Sequence, residues 1–408
     1  MYRPARRLAD IAPFHVVELL TRARQLEAEG RDIIHMEVGE PDFPTPEPIA
    51  AAAVDAIKRG KTRYTQALGL PELREAIAAF YRTRYGIAVP AARIGVTAGA
   101  SGALNLAFAC LAEPCSQWLL ADPGYPCNRH ILRVYEGRPQ YIPVGPDSNF
   151  QPTPELLRQH WSATTAGLLV ASPANPTGTL LTAPEIAALA EVCRERQGHF
   201  LVDEIYHGLT YAPQETSSLV EADAPSTKAT APGFASDATA CAAGDDVWVI
   251  NSFSKYFQMT GWRLGWMVVP EPYVRDVEKL AQNLVLCPST PAQHAALAAF
   301  APETIAILEM RRGEFRKRRD FLAPALESVG FRITARPQGA FYLYCDCSAL
   351  CNDSFMLARD LLETIGVAAT PGIDFGSNAP EKHIRFAYTT SIDRLAEAVD
   401  RLRRHFAR

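Results

Sequence analysis

The chain has 408 residues, 48% of them hydrophobic, and a formal net charge of −4 with acids and bases interspersed. That length predicts two or three domains around a large core, and that charge leaves no electrostatic footprint for nucleic acid. No uncharged apolar run is long enough to span a bilayer, and the basic start is not followed by a signal-type segment, so no membrane partner is expected and the chain is read as cytoplasmic.

The first periodic segment, 14–29, predicts a helix. From about Ile49 to Ala281, amphipathic helical patterns alternate with short apolar strands, which predicts an α/β fold with a mostly parallel seven-stranded sheet covered by helices. The strands are expected at 94–97, 118–121, 140–144, 167–171, 200–202, 247–251 and 265–269. A long helical region to about Val329, strands at 340–345 and 383–388, and helices near 354–365 and from Ile392 predict a smaller α+β domain. The expected division is an N-terminal segment 1–45 joining the small domain, a large domain 46–281 and a small domain 282–408. Segment 212–244 is rich in Ala, Ser, Thr, Pro and Asp and reads as a long surface loop, either a lid or a passive insertion. The basic run from Arg311 to Arg319 has helical spacing and reads as a solvated face. The nine cysteines fit reduced thiols, and Cys345, Cys347 and Cys351 have no adjacent histidine, so no metal is expected.

The turns that follow the strands carry the chemistry. The small residues from Gly99 through Ala100 and Ser101 open an Ala-rich helix and let backbone amides approach an anion, although helix-sheet packing alone also calls for such a turn. Tyr125 follows the next strand, where its ring would stack on a flat heterocycle. Asn175 sits in a Pro-rich turn that would aim its amide at a ligand oxygen, or is only structural. Asp203 ends an apolar strand, with Tyr206 three residues on. A carboxylate there is costly without a cation, and a protonated ring nitrogen is one such partner; a helix cap is an equal reading. Lys255 follows the strand at 247–251, flanked by Ser252, Ser254 and Arg263. Its amine would form a Schiff base while hydroxyls and guanidinium grip a phosphate; alone, the segment favours a solvated lysine, as most lysines are.

Together these features resemble the fold-type I pyridoxal-phosphate enzymes, specifically the aspartate aminotransferase-like class I/II family. The resemblance spans nearly the whole chain: Val38-Gly39-Glu-Pro-Asp-Phe43, Thr62-Arg-Tyr64-Thr, the glycine turn, Asp122-Pro-Gly-Tyr125-Pro, Asn175-Pro-Thr-Gly178, Asp203-Glu-Ile-Tyr206, Ser252-x-Ser-Lys255 with Arg263, and His383-Ile-Arg385-Phe. It implies that pyridoxal 5′-phosphate is the cofactor, with Lys255 as Schiff-base lysine and proton carrier, Asp203 on the pyridine nitrogen, Asn175 and Tyr206 on the ring oxygen, and Tyr125 stacked on the ring. Ala100, Ser101, Ser252, Ser254 and Arg263 would hold the phosphate, joined by Tyr64 of a neighbouring subunit, which implies a homodimer with shared sites. Arg385 would clamp the substrate α-carboxylate, with Gly39 nearby. Gln258 and Ala174 depart from the family pattern but touch none of these roles.

The implied reaction moves the α-amino group of an L-amino acid to a 2-oxo acid. A carbon–sulfur β-lyase is the alternative within enzymes. A cofactor-binding regulatory module is the alternative outside them, and it would need a DNA-binding segment where only about forty residues precede the first large-domain helix. Phe14, Phe341, Tyr342 and the Pro288–Pro291 turn are expected to line the side-chain pocket, which would suit a neutral amino acid.

Overall fold

The computed structural model describes residues 3–211, 238–335 and 337–407. Of the loop expected at 212–244, residues 212–237 lie outside this set, and Ala240–Ala242 form a 3-10 turn.

The first helix is His15–Ala28. Its opening turn is held by a residue from the other end of the chain. The two carboxylate oxygens of Asp374 accept from the backbone N–H groups of His15 and Val16 at 2.9 and 2.8 Å. They satisfy donors that a helix start otherwise leaves open. A short strand, β1 (Ile34–His35), follows.

The seven expected strands all form, with no end shifted by more than two residues: β2 (Ile94–Thr97), β3 (Gln117–Asp122), β4 (Arg138–Pro143), β5 (Thr165–Ala171), β6 (His199–Asp203), β7 (Trp248–Ser252) and β8 (Gly265–Val268). They lie in the order β2-β8-β7-β6-β5-β3-β4. β8 runs antiparallel to both neighbours, and the other pairs are parallel. Successive residues point to opposite faces, so Leu119, Leu168, Phe200 and Val249 fill one buried cluster while Trp118, Leu169, Leu201 and Trp248 fill another. Each such side chain contributes about 1.5–3 kcal/mol relative to exposure. Burial on both faces is why these strands read as continuous apolar runs. It also leaves their carboxyl ends, at Asp122, Ala171, Asp203 and Ser252, as the places where polar groups emerge together.

The long helical stretch expected after the sheet is broken into Val274–Leu284, Thr290–Leu297 and Pro302–Glu327. Leu286 adopts a left-handed conformation with φ of 71°, and Pro288, Pro291 and Pro302 lack the N–H needed to carry one helix through. β9 (Tyr342–Asp346), β10 (Val367–Ala368), β11 (Thr370–Pro371) and β12 (His383–Ala387) follow. β12 lies between β11 and β9 in an antiparallel sheet. β10 pairs in parallel with β1, from near the N-terminus. The two-residue strands β1, β10 and β11 are absent from the sequence expectation, because two residues carry no periodicity.

If Asp374 anchors the first helix, Asp374→Ala should lower the local opening free energy of that helix by about 1–3 kcal/mol, the cost of leaving buried donors unmet. Faster amide exchange confined to the first turns of His15–Ala28 is the expected readout, and unchanged exchange there would contradict it.

Candidate active site

The strand ends, the first helix and the β9–β12 sheet enclose a cavity of about 410 Å³. Lys255, Asp203, Tyr206, Asn175, Tyr125, Ala100, Ser101, Ser252, Ser254, Arg263, Gly39 and Arg385 all line it. Tyr64 does not. It is 81% exposed and lies on a segment bound to the 288–293 region, where Thr290 Oγ1 donates to the Arg63 carbonyl at 2.6 Å and Gln293 Nε2 to Thr65 Oγ1 at 3.0 Å.

Asp203 is the last residue of β6 and is 4% exposed. One carboxylate oxygen accepts from the Ile205 N–H at 3.1 Å. Burial pushes its carboxyl up to about 7, because a charge in a low-dielectric site is disfavoured without a cation close by. Lys255, three residues beyond β7, is half-buried, and its Nζ donates to the Gly39 carbonyl. Burial is also the main cause that brings its ammonium down to about 8. A minor but usable fraction of this amine is therefore free base near neutral pH, where an unperturbed lysine has almost none, and a nucleophile needs the free base.

At another part of the cavity, the helix Gly99–Leu111 begins with Gly99 at φ 72°. A Cβ on Gly99 would stand 3.0 Å from Arg263 Nη2; the glycine thus permits a guanidinium beside a helix N-terminus. The buried hydroxyls of Ser252 and Ser254 are bonded to each other at 2.9 Å. Guanidinium, helix amides and hydroxyls form a cradle for an anion.

Arg385, on β12, is 3% exposed. Its Nη1 donates to Asn175 Oδ1 at 2.8 Å, and its Nη2 to the Glu37 carbonyl at 2.5 Å and Thr370 Oγ1 at 3.1 Å. Its Nε is buried with no hydrogen-bond partner among the described residues. The guanidinium carbon lies 4.2 Å from the centre of the Tyr342 ring and 4.9 Å from that of Phe375. Packing and hydrogen bonds thus fix a cation on the cavity wall.

The donor set fits pyridoxal 5′-phosphate. A buried acid awaits a ring cation, a cradle awaits a phosphate, and a partly deprotonated amine awaits an aldehyde. No group of three or more His, Cys, Asp or Glu among the described residues is placed to hold a metal ion.

The side-chain pocket differs from the expectation in two of its four parts. Phe14 and Tyr342 line the cavity, whereas Phe341 is wholly buried behind it and the Pro288–Pro291 turn faces the Arg63–Thr65 segment instead. Tyr342 also does more than line a pocket: its hydroxyl is 2.8 Å from that of Tyr206. The sequence reading missed Glu40, Thr260, Val17 and Leu20, which also face the cavity. Val17 and Leu20 have helical spacing, a signal that ordinary core packing produces equally. Gln258 is clear of the site, its carbonyl accepting from Thr45 Oγ1 at 2.9 Å.

The family model for aminotransferase class I and II matches residues 31–402. The valine–pyruvate aminotransferase of Mycobacterium tuberculosis is 36% identical over 398 residues, which are 97% of this chain and 96% of that protein. The aspartate/prephenate aminotransferase of Thermus thermophilus is 32% identical over 406 residues, 99% of each. A crystal structure of an aminotransferase from Mycobacterium tuberculosis matches with a TM-score of 0.91 at 36% identity, covering 100% of both chains.

Gly39 leaves no room for a side chain, since a Cβ there would collide with the Tyr342 hydroxyl and stand 3.2 Å from the ring carbon that bears it. Gly39→Ala should therefore destabilise the protein by about 1–3 kcal/mol, typical of overpacking. Tyr342→Phe in the same chain should recover at least half of that loss in a denaturation cycle. Additive losses would contradict the contact.

Proposed function

The chain belongs to the aminotransferase class I and II family, and on that premise we propose that its cavity holds pyridoxal 5′-phosphate and moves the α-amino group of an L-amino acid to a 2-oxo acid. The observation that carries this reading is the convergence on one cavity of a buried acid, a half-buried amine and a fixed arginine. When bound, the cofactor supplies an aldehyde that condenses with amines and a ring that withdraws electrons from the substrate α-carbon.

The chain's own residues divide the remaining tasks. Asp203 pairs with the ring nitrogen and keeps it protonated. Asn175 and Tyr206 hydrogen-bond the ring oxygen, and Tyr125 packs on the ring face. Ala100, Ser101, Ser252, Ser254 and Arg263 hold the phosphate. The amine of Lys255 would anchor the aldehyde and, once freed, would take the proton from the substrate α-carbon and return it to the cofactor's aldehyde carbon; its ammonium near 8 suits a base at neutral pH. Arg385 holds the α-carboxylate, for which its stacked and hydrogen-bonded guanidinium is oriented in advance. Gly39 gives the substrate access beside it.

Tyr64 has no role within its own chain's cavity. Its exposure suits a tyrosine that reaches the phosphate of a second copy, so we assign a homodimer with shared sites. The proposed domains are 1–45 with 282–408, and 46–281 as the cofactor-binding part. The names of the relatives give the β-lyase alternative no support. Among the described residues no helix is long and apolar enough to cross a membrane.

The test mixes cofactor-loaded protein with an L-amino acid and a 2-oxo acid and follows both products. Lys255→Ala should cut turnover by about 10³-fold or more, since it removes the acid-base group, while cofactor still binds without a covalent link. Arg385→Lys should raise KM for the amino acid about tenfold or more by losing the bidentate fork, with cofactor retention unchanged. Full turnover in the first variant, or an unaltered KM in the second, would refute these assignments. Ammonia and pyruvate released from cysteine-type substrates, without amino transfer, would establish the lyase instead.

A further inference from the structure

Segment 34–39 runs from β1 to the cavity and supplies carbonyl acceptors to two of its cations. The Glu37 carbonyl accepts from Arg385 Nη2 at 2.5 Å, and that of Gly39 from Lys255 Nζ. Thr370 Oγ1 donates to the same Glu37 carbonyl at 3.0 Å. One residue before Glu37, the Met36 N–H donates to the Ala368 carbonyl at 3.1 Å and the Met36 carbonyl accepts from the Ala387 N–H at 2.7 Å. One residue after it, the Val38 carbonyl accepts from Thr389 Oγ1 at 3.4 Å.

The Glu37 side chain is fully buried, and a buried carboxylate is costly unless a cation and hydrogen bonds compensate it. Its Oε2 has no hydrogen-bond partner among the described residues, while its Oε1 lies 2.7 Å from His35 Nδ1. Residues two apart on an extended segment share a face, which brings His35 beside Glu37. The other ring nitrogen, Nε2, lies 3.1 Å from Oε1 of Glu27 on the first helix. With both nitrogens protonated the ring donates to each acid, and the hydrogen bond to Glu37 is the main cause that raises the imidazolium to about 9. Charged groups on the elements packed around β1 are held elsewhere: Arg394 and Arg401 of the last helix by Asp32, and Arg22 of the first by Glu363. On β12, His383 stacks on Tyr344, and Arg385 meets the segment at the Glu37 carbonyl.

We propose that His35, bonded to Glu37 and Glu27, is a positioning residue that holds segment 34–39 and through it aims Arg385 at the substrate carboxylate. The proposal rests on the assignment of Arg385 to the α-carboxylate and adds a residue that itself touches no substrate. Without a cation at position 35 the Glu37 carboxylate is stranded in a dry site, and it relieves that cost by taking a proton or by moving toward water. Movement draws the Glu37 carbonyl away from Arg385 Nη2, and the guanidinium loses an acceptor that sets its angle. The pairing is fully present below about 6.5 and is lost as pH rises through about 9, because the folded chain then gives up the proton that the pair retained.

The test is the affinity of the cofactor-loaded protein for propionate, a carboxylate small enough for any side-chain pocket and free of groups that titrate in this range. At about pH 7.5, His35→Gln should weaken binding about tenfold, the order of a lost hydrogen bond to a charged group, with cofactor retention unchanged. At about pH 10 the same substitution should change the Kd by less than about twofold, because His35 of the unaltered protein is by then mostly neutral. Lys255 titrates in both proteins and cancels from this ratio. His35→Lys, which keeps a cation, should restore most of the binding at the lower pH and bind more tightly than the unaltered protein at the higher. A penalty of equal size at both pH values would reflect packing alone and would overturn the proposal. Normal binding by His35→Gln at the lower pH, beside weakened binding by Arg385→Lys, would refute His35 alone. Propionate binding indifferent to Arg385→Lys would refute the assignment of Arg385, and this proposal with it.

Discussion

Asp203 carries the constraint on which the rest of the site depends. Its carboxyl is buried at the end of a central strand, takes one backbone hydrogen bond, and is held near 7 by burial. The ordinary value is 3.8, so between those limits the folded chain binds a proton that the unfolded chain has released. Stability from this group is therefore present at low pH and is lost as pH rises through about 7. A cation brought opposite it removes that penalty. The cavity is thus poorly balanced by itself at neutral pH and well balanced with a cationic ring inside it.

Lys255 shows the same physics with the opposite sign. Burial brings its ammonium down to about 8, so an amine that water would keep charged becomes available for carbonyl chemistry. These two groups emerge from neighbouring parallel strands, β6 and β7, whose buried faces give them little freedom to move. Arg385 comes from the other sheet and is tied to Asn175, Glu37 and Thr370. A substrate spanning Lys255 and Arg385 therefore touches both parts of the fold, and any shift between them would be felt at the reacting carbon.

Much of this was legible in the sequence because the central strands are buried on both faces. Residues such as Leu201, Val202, Val249 and Ile250 stand out as apolar runs, and the polar residue that ends each run marks the site. Arg385 was legible for the same reason, as a charge between apolar neighbours. The partners of Arg385 were not, since the Glu37 carbonyl comes from the other end of the chain and Thr370 meets it through β11, a strand of only two residues. Tyr342 read as a pocket residue because nothing local to it announces Tyr206, 136 positions away. The wall made by Val17 and Leu20 was hidden by an ambiguity of helices, whose apolar faces look alike whether they cover a core or a ligand. The break at Leu286 left no mark beyond its neighbouring prolines.

The central claim is that below about pH 7 Asp203 is mostly protonated until a cationic ring pairs with it. Infrared difference spectroscopy at pH 6 tests it directly, with Asp203→Asn to assign the band. The account predicts a protonated carboxyl stretch in the cofactor-free protein that disappears when pyridoxal 5′-phosphate is added. A carboxyl already ionised without cofactor, or still protonated with it, would contradict the account.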